Sequence, residues 1–275
     1  MKRTLFLGLA LSILGTSGLM AQDKITVKGG NKFDFTFSGD MNVTQSMAGQ
    51  EMTVASTMNG GVHMMANKVG KDEIDWSYGV SDMKVSTKSE VLPGGGQDTT
   101  ITMEPVPFRT DMNGKIKQNA ALGEALQMFS SGVQGFAPQQ MFSPAIGRSL
   151  KKGQTWEESS IDTVHNPMMG DGAMVIERTT RYTYDGPVDT LKNKAIRIRS
   201  EITSMSLTGS ASMMGMDVKI DGDGSANMVS YYGAKDGILL ATIGDNETNM
   251  RMAMTGQAEM LIPITMSMTS RMVRK

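Results

Sequence analysis

The stretch Ala258–Val273, AEMLIPITMSMTSRMV, decides the fold class because its apolar side chains fall on alternate positions. The even positions include Met260, Ile262, Ile264, Met266, Met268 and Met272, and the odd positions include Glu259, Thr265, Ser267, Thr269 and Arg271. A period of two places alternate side chains on opposite faces of a β-strand. The pattern predicts an antiparallel sheet with one buried and one solvated face. Pro263 cannot donate a ladder hydrogen bond, so it predicts an edge strand or a bulge.

Methionine is the most unusual feature of the composition, at 28 of 275 residues. A second alternating run, Met250, Met252 and Met254, precedes the last strand. The unbranched thioether side chain fills irregular gaps and repacks easily. A methionine stripe can therefore be a packed core, an apolar groove or a soft-metal site, and the sequence leaves all three open.

The remaining chain predicts a mainly β protein. Alternating segments are separated by turn signals such as Asn59-Gly60-Gly61 and Asn113-Gly114. We expect a large curved antiparallel sheet, a half-barrel or open barrel, with one amphipathic helix packed on it. Residues 22–275 would form a single β-rich domain of two meander halves, 22–118 and 150–275, joined by a helical linker over 119–149.

The predicted helix rests on a change of apolar period in the linker. Apolar side chains there follow helical spacing at Leu122, Ala125, Leu126, Phe129, Val133 and Phe136. Asn119 can cap the helix start, and Pro138 follows its end. A single amphipathic helix must bury its apolar face against another element, so we expect it to pack on the strands.

The N-terminus has the pattern of a secretory signal peptide over residues 1–21. Lys2 and Arg3 precede the apolar run Thr4–Leu14, and cleavage is expected after Ala21. No cysteine follows that run, so we expect an exported protein, periplasmic or extracellular, without a lipid anchor. No later stretch is long and apolar enough for a membrane-spanning helix, so we also expect no transmembrane anchor.

Charge and motif content disfavour several classes of function. The formal net charge is −1, and phosphate binding requires a basic excess, so no nucleic-acid partner is expected. The chain has no cysteine and only two histidines, and it lacks the Gly-x-Ser-x-Gly motif, which disfavours thiol and serine-triad catalysis. Nucleotide-binding glycine motifs are also missing. We therefore expect a protein that is not an enzyme and needs no cofactor.

Three short motifs carry a resemblance to known proteins. They are Lys152-Gly153-Gln154-Thr155-Trp156, the turn Lys235-Asp236-Gly237-Ile238, and the similar turn Asp111-Met112-Asn113-Gly114-Lys115-Ile116. Together they resemble an uncharacterised family of exported bacterial β-rich proteins. The resemblance implies a curved antiparallel sheet like that of lipoprotein carriers, and it implies no catalytic residues.

Both histidines stand near methionine pairs. His63 precedes Met64-Met65, and His165 lies shortly before Met168-Met169. Thioethers favour Cu(I) and imidazole suits copper, so His63, Met65, His165 and Met168 are candidate metal ligands. Chance adjacency is common in a chain this rich in methionine.

The sequence therefore supports three hypotheses of function. In the first, an apolar ligand such as a lipid binds a methionine-rich concave sheet. Its candidate contacts are Met250, Met252, Met254, Met260, Met266, Met268, Leu126 and Phe129. In the second, the protein has a closed core and a structural or interaction role. In the third, it binds Cu(I) through methionine and histidine.

Overall fold

The computed structural model describes residues 24–47, 49–89, 95–117, 138–165, 172–191, 193–213, 216–255 and 260–275. Most of them belong to ten β-strands, which confirms the prediction of a mainly β protein. The strands are β1 Lys32–Met47, β2 Gln50–Val69, β3 Glu73–Ser89, β4 Gly96–Asp111, β5 Thr155–His165, β6 Ala173–Thr190, β7 Asn193–Met213, β8 Met216–Gly233, β9 Leu239–Thr255 and β10 Met260–Arg274.

The strands form one antiparallel sheet with the order β4-β3-β2-β1-β10-β9-β8-β7-β6-β5. Among the described strands, each except β1 and β10 pairs only with neighbours in sequence. The first and last strands pair at the centre of the sheet, where Phe37 lies opposite Met272 and Met41 opposite Met268. Within the described ranges, β4 and β5 are the two edges.

The prediction that Pro263 marks an edge strand is wrong, because β10 lies inside the sheet. Its pairing with β9 runs without a register shift through Pro263, which lies opposite Arg251. Pairing with β1, however, ends at Ile264 opposite Gln45. Pro263 thus lies just beyond that pairing, where its missing N–H breaks no ladder bond to β1.

The two faces of the sheet differ in polarity because the side chains alternate. The inner face carries apolar side chains from every central strand, including Phe35, Val62, Ile198, Ile220 and Met268. The outer face carries charged side chains, and several of them pair across strands. Arg251 on β9 binds Asp221 on β8 at 2.7 Å, and Arg181 on β6 binds Glu157 on β5 at 3.0 Å.

One end of the inner face is filled by the segment 138–150, which we call the inner segment. It begins with the short 3-10 turn Pro138–Met141, and its buried apolar residues are Pro138, Met141, Phe142, Ala145, Ile146 and Leu150. The ring of Phe142 lies 5.2 Å from that of Trp76 on β3, and its backbone forms a bridge with Ile238 beside β9.

These contacts require the sheet to curve. Strands β2, β1 and β10 separate β3 from β9. At a spacing of about 4.8 Å, β3 and β9 would lie about 19 Å apart in a flat sheet, too far for one residue to touch both. The sheet therefore wraps around the inner segment and packs its end, where β1 begins, against it.

The predicted amphipathic helix over 119–136 lies outside the described residues and stays a prediction. The part of the chain that the structure describes contains no α-helix. Among the described residues, the inner segment covers the end of the sheet where β1 begins. This segment follows the predicted helix in sequence.

Candidate functional site

The end of the sheet opposite the packed core carries a second apolar cluster on the inner face. Val218 and Ile220 of β8 are buried there, and Met250, Met252 and Met254 of β9 pack against them. We call these five residues the methionine patch. It is distinct from the main core cluster, which gathers around Trp76 and the inner segment.

The strand register brings the patch together. Met252 lies opposite Ile220 on β8 and opposite Ile262 on β10. Met254 lies opposite Val218 on β8 and Met260 on β10. Because directly opposed residues on one face have neighbouring Cβ atoms, the patch is continuous across β8 and β9 and borders Met260 and Ile262 on β10.

A glycine gives Met250 its room on the inner face. Gly222 on β8 lies opposite Met250, and a Cβ added there would come within 3.0 Å of the Met250 Cγ and 2.5 Å of the Asn249 carbonyl oxygen. Any larger residue at position 222 would therefore collide with Met250 and disturb the methionine patch.

The methionines selected from the sequence share the inner face but differ in burial. Met268 is 4% exposed and belongs to the main core. Met250, Met252, Met254 and Met266 are half-buried, and Met260 is 41% exposed. The methionine side chains on the inner face therefore change along the strands from fully buried in the main core to partly exposed. Leu126 and Phe129 lie outside the described residues.

The candidate copper ligands are not brought together among the described residues. His63 and Met65 lie on the outer face of β2, away from the methionine patch. Nδ1 of His63 lies 2.6 Å from Asp34 Oδ1, and its Nε2 lies 2.5 Å from Ser81 Oγ, so both ring nitrogens are engaged. The His165 side chain and Met168 lie outside the described side chains, and the described residues form no group of three or more His, Asp or Glu suited to a metal.

Asp34 and Ser81 are polar partners that the sequence patterns did not indicate. They lie on β1 and β3 and reach His63 only through the strand register. The available signal was the alternation Phe33, Asp34, Phe35, which places Asp34 on the face opposite the phenylalanines.

Trp156, the second residue of β5, is a packed aromatic side chain. Its ring stacks on Tyr182 at 5.2 Å, and the Arg148 guanidinium lies 5.1 Å from its centre. Burial raises the pKa of Tyr182, and the nearby Glu158 carboxylate adds to that rise. These contacts tie the inner segment to β5 and β6.

No family model matches the chain, and no curated protein matches it. The resemblance to an uncharacterised exported family therefore stays a prediction.

Several solved structures match over most of the chain, at very low similarity. Neisserial surface protein A is 6% identical with a TM-score of 0.23, covering 87% of this chain and 96% of its own. The outer membrane protein OprG from Pseudomonas aeruginosa is 6% identical with a TM-score of 0.25, covering 91% and 99%. OmpF of Salmonella typhi, solved with daunomycin, is 7% identical with a TM-score of 0.27, covering 90% and 99%. At these TM-scores no property of those proteins transfers to this chain.

No helix among the described residues is long and apolar enough to cross a membrane.

The prediction of no transmembrane anchor is nevertheless corrected. It was inferred from apolar length, a criterion that applies to helices, whereas strands can also cross a bilayer. The helix criterion therefore does not decide the question, and the solved structures matched at these low TM-scores include an outer membrane protein.

Proposed function

We propose that this is an exported protein whose inner face binds, without chemical change, an apolar, chain-like ligand such as a lipid at the methionine patch. The observation that carries the proposal is the half-buried state of Met250, Met252 and Met254, which belong to an apolar cluster outside the main core. A ligand covering them would remove apolar surface from water, which stabilises a complex by about 25 cal/mol per Å² before binding costs.

Methionine suits a flexible ligand better than a rigid one. Its unbranched thioether adopts several low-energy arrangements, so one surface can fit chains of different length and bend. The curve of the sheet around the inner segment gives the inner face the concave shape of small-molecule sites. The resemblance to exported proteins with carrier-like sheets points the same way.

The alternative is a structural or interaction protein whose inner face is fully packed. The completely buried side chains at the packed end, including Trp76, Tyr78 and Met141, favour it for that half of the molecule. The two hypotheses differ only in what happens at the methionine patch.

Native mass spectrometry of the protein from its own host, with titration of a fluorescent fatty acid, tests the proposal. We expect a co-purifying lipid-sized mass and saturable fatty-acid binding. Met252→Asp places a carboxylate in the patch and should weaken binding at least tenfold. Asn249→Asp places the same group on the outer face of the same strand and should leave binding unchanged.

Circular dichroism shows whether both variants keep their strands. A protein that carries no lipid and binds no fatty acid would favour the packed alternative. Equal effects of the two aspartates would move any binding away from the inner face.

A further inference from the structure

Three polar side chains from neighbouring strands form a chain of hydrogen bonds on the outer face. Asp34 on β1 lies directly opposite His63 on β2 in the register, and Ser81 on β3 lies opposite Gly61, two positions before that histidine. Asp34 Oδ1 lies 2.6 Å from His63 Nδ1, and Ser81 Oγ lies 2.5 Å from His63 Nε2. One ring nitrogen thus faces a carboxylate and the other faces a hydroxyl.

The chemistry of the three groups sets the direction of each bond. An ionised carboxylate only accepts hydrogen bonds, so Nδ1 of His63 carries the hydrogen that it donates to Asp34. Nε2 of the neutral imidazole then has a free lone pair, and the Ser81 hydroxyl donates to it. A hydroxyl, a base and a carboxylate that orients the base are the arrangement that activates serine as a nucleophile.

The backbone beside Ser81 is irregular in two ways. The β2–β3 register shifts between Asn59 and Gly61, and the β3–β4 register shifts between Val80 and Met83. Asp82, which follows the serine, has a φ of 49°, in the left-handed region that non-glycine residues rarely adopt. Bulges and strained residues of this kind concentrate at functional sites, where they aim a side chain out of the regular pleat.

Gly61 leaves space at the reacting atoms. A Cβ added at this position would lie 2.8 Å from Ser81 Oγ and 3.2 Å from His63 Nε2. With only hydrogen there, a planar carbonyl group can approach the hydroxyl from that side. The imidazole and carboxylate side chains are 43% and 49% exposed, so the site opens directly to solvent.

We propose that Asp34, His63 and Ser81 form a hydrolytic site for carboxylic esters, a second activity independent of ligand binding on the inner face. Ser81 Oγ forms a bond to the ester carbonyl carbon while its proton passes to His63 Nε2. The tetrahedral intermediate collapses, the bond to the leaving oxygen breaks, and the proton moves to the departing alcohol. Water then attacks the acyl-serine with His63 as base, releasing the carboxylic acid and restoring Ser81.

Asp34 acts in this scheme as a positioning residue that holds the tautomer of His63. The histidine count and the missing Gly-x-Ser-x-Gly motif disfavoured a serine triad, but neither reports the strand register that brings these three side chains together. General-base assistance is typically worth 10²- to 10⁴-fold in rate. Because the site is exposed to water, we expect faster hydrolysis of activated esters than of ordinary ones.

The test uses the mature protein with a fluorophosphonate probe and p-nitrophenyl acetate. We expect labelling at Ser81, located by peptide mass mapping, and ester hydrolysis above the buffer rate. Ser81→Ala should abolish both. Ser77→Ala is the matched control, because Ser77 lies on the outer face of the same strand with its Oγ on Asn67 rather than on histidine, and it should change neither.

Asp34→Asn tests the positioning role, because an amide nitrogen facing Nδ1 favours the tautomer in which Nε2 carries the hydrogen. We expect kcat to fall at least 10²-fold with KM little changed, and Asp34→Glu to recover part of kcat. The wild-type protein alone can overturn the proposal, so the test does not depend on any variant folding. It does so if the probe fails to label Ser81, or if it labels Ser77 equally. Hydrolysis that survives Ser81→Ala overturns it as well.

Discussion

Trp76 is the residue around which the packed end is organised. Its ring is fully buried, its Nε1–H donates to Thr110 Oγ1 at 2.9 Å, and the rings of Phe33 and Phe108 both lie 6.3 Å away. Aromatic groups at these separations attract beyond simple burial, and the satisfied N–H avoids a desolvation cost of about 1–3 kcal/mol. A single side chain thus joins β1, β3 and β4.

Gly114 offers a test of packing at one residue. Its φ is +84°, and an added Cβ would lie 2.6 Å from the Phe142 Cβ. Gly30 has a φ of +86°, and nothing would lie within 4 Å of its added Cβ. Gly30→Ala should cost about 1–2 kcal/mol from backbone strain alone. Gly114→Ala should cost about 1–3 kcal/mol more, from overpacking against the inner segment.

Urea denaturation of both variants measures the difference as a shift in midpoint. Equal losses of stability would mean that Phe142 moves aside freely and does not fix the packed end.

For single residues, the sequence predicts the face of the sheet that a side chain occupies, but it predicts the contact partner of that side chain less well. The alternation correctly places Met250, Met252 and Met254 on the inner face. The contact of His63 with Asp34 and Ser81 depends on the register of three strands. A shift of one residue would turn a strand's side chains to the other face, and no local pattern fixes that alignment.

The inner segment is the element that organises the curved sheet. It contributes Phe142 to the main core, and it reaches β5 where the Arg148 guanidinium binds Glu158 at 2.6 Å. The predicted helical linker over 119–149 included most of this segment, and that part of the prediction is wrong, because the described residues form a 3-10 turn at Pro138–Met141 followed by irregular backbone. Its role follows from where the sheet places it, which periodicity does not report.

Phe142→Ala should destabilise the protein by about 3–5 kcal/mol, the usual cost of removing a buried aromatic ring. Trp76 fluorescence should shift to the red as water reaches the packed end. Leu261→Ala is a suitable control, because Leu261 is 62% exposed and its loss should change stability by less than about 0.5 kcal/mol. A small effect of the Phe142 change would show that the sheet holds its curve without this contact.

At the scale of the whole molecule, buried tyrosines couple the fold to alkaline pH. Burial raises the pKa of Tyr78 and of Tyr232 well above the ordinary value. A raised pKa in the folded state means that stability is fully present below the unfolded value of about 10 and falls as pH rises above it. Each tyrosine should remove about 1.4 kcal/mol per pH unit there.

Absorbance at 295 nm and circular dichroism, followed together from pH 8 to 13, check this expectation. The last tyrosines should ionise only as the strand signal is lost. Tyr232→Phe should make the decline in stability above pH 10 less steep. Ionisation of all five tyrosines in a folded protein would contradict the burial of these two rings.

The sequence predicts an antiparallel sheet but not the pairing of its first strand with its last. Turn signals indicate hairpins between successive strands, and eight of the nine strand pairs in the sheet join neighbours in the described strand order. The ninth pair, β1 with β10, links residues more than 200 positions apart, as in Gln45 opposite Ile264. Such a pairing has no local signature, which is why Pro263 suggested an edge.

This central pairing sets a time order for folding. Hairpins among β2 to β9 can form as soon as their turns are made, but β1 has no partner on one side until residues 264–274 are available. Loop closure over that distance is entropically costly and slow compared with hairpin formation. Strands β1 and β10 can therefore pair only after residues 264–274 have left the ribosome. Until those residues emerge, one side of β1 exposes unpaired backbone N–H and C=O groups, so the incomplete chain has an open strand edge that the finished sheet covers.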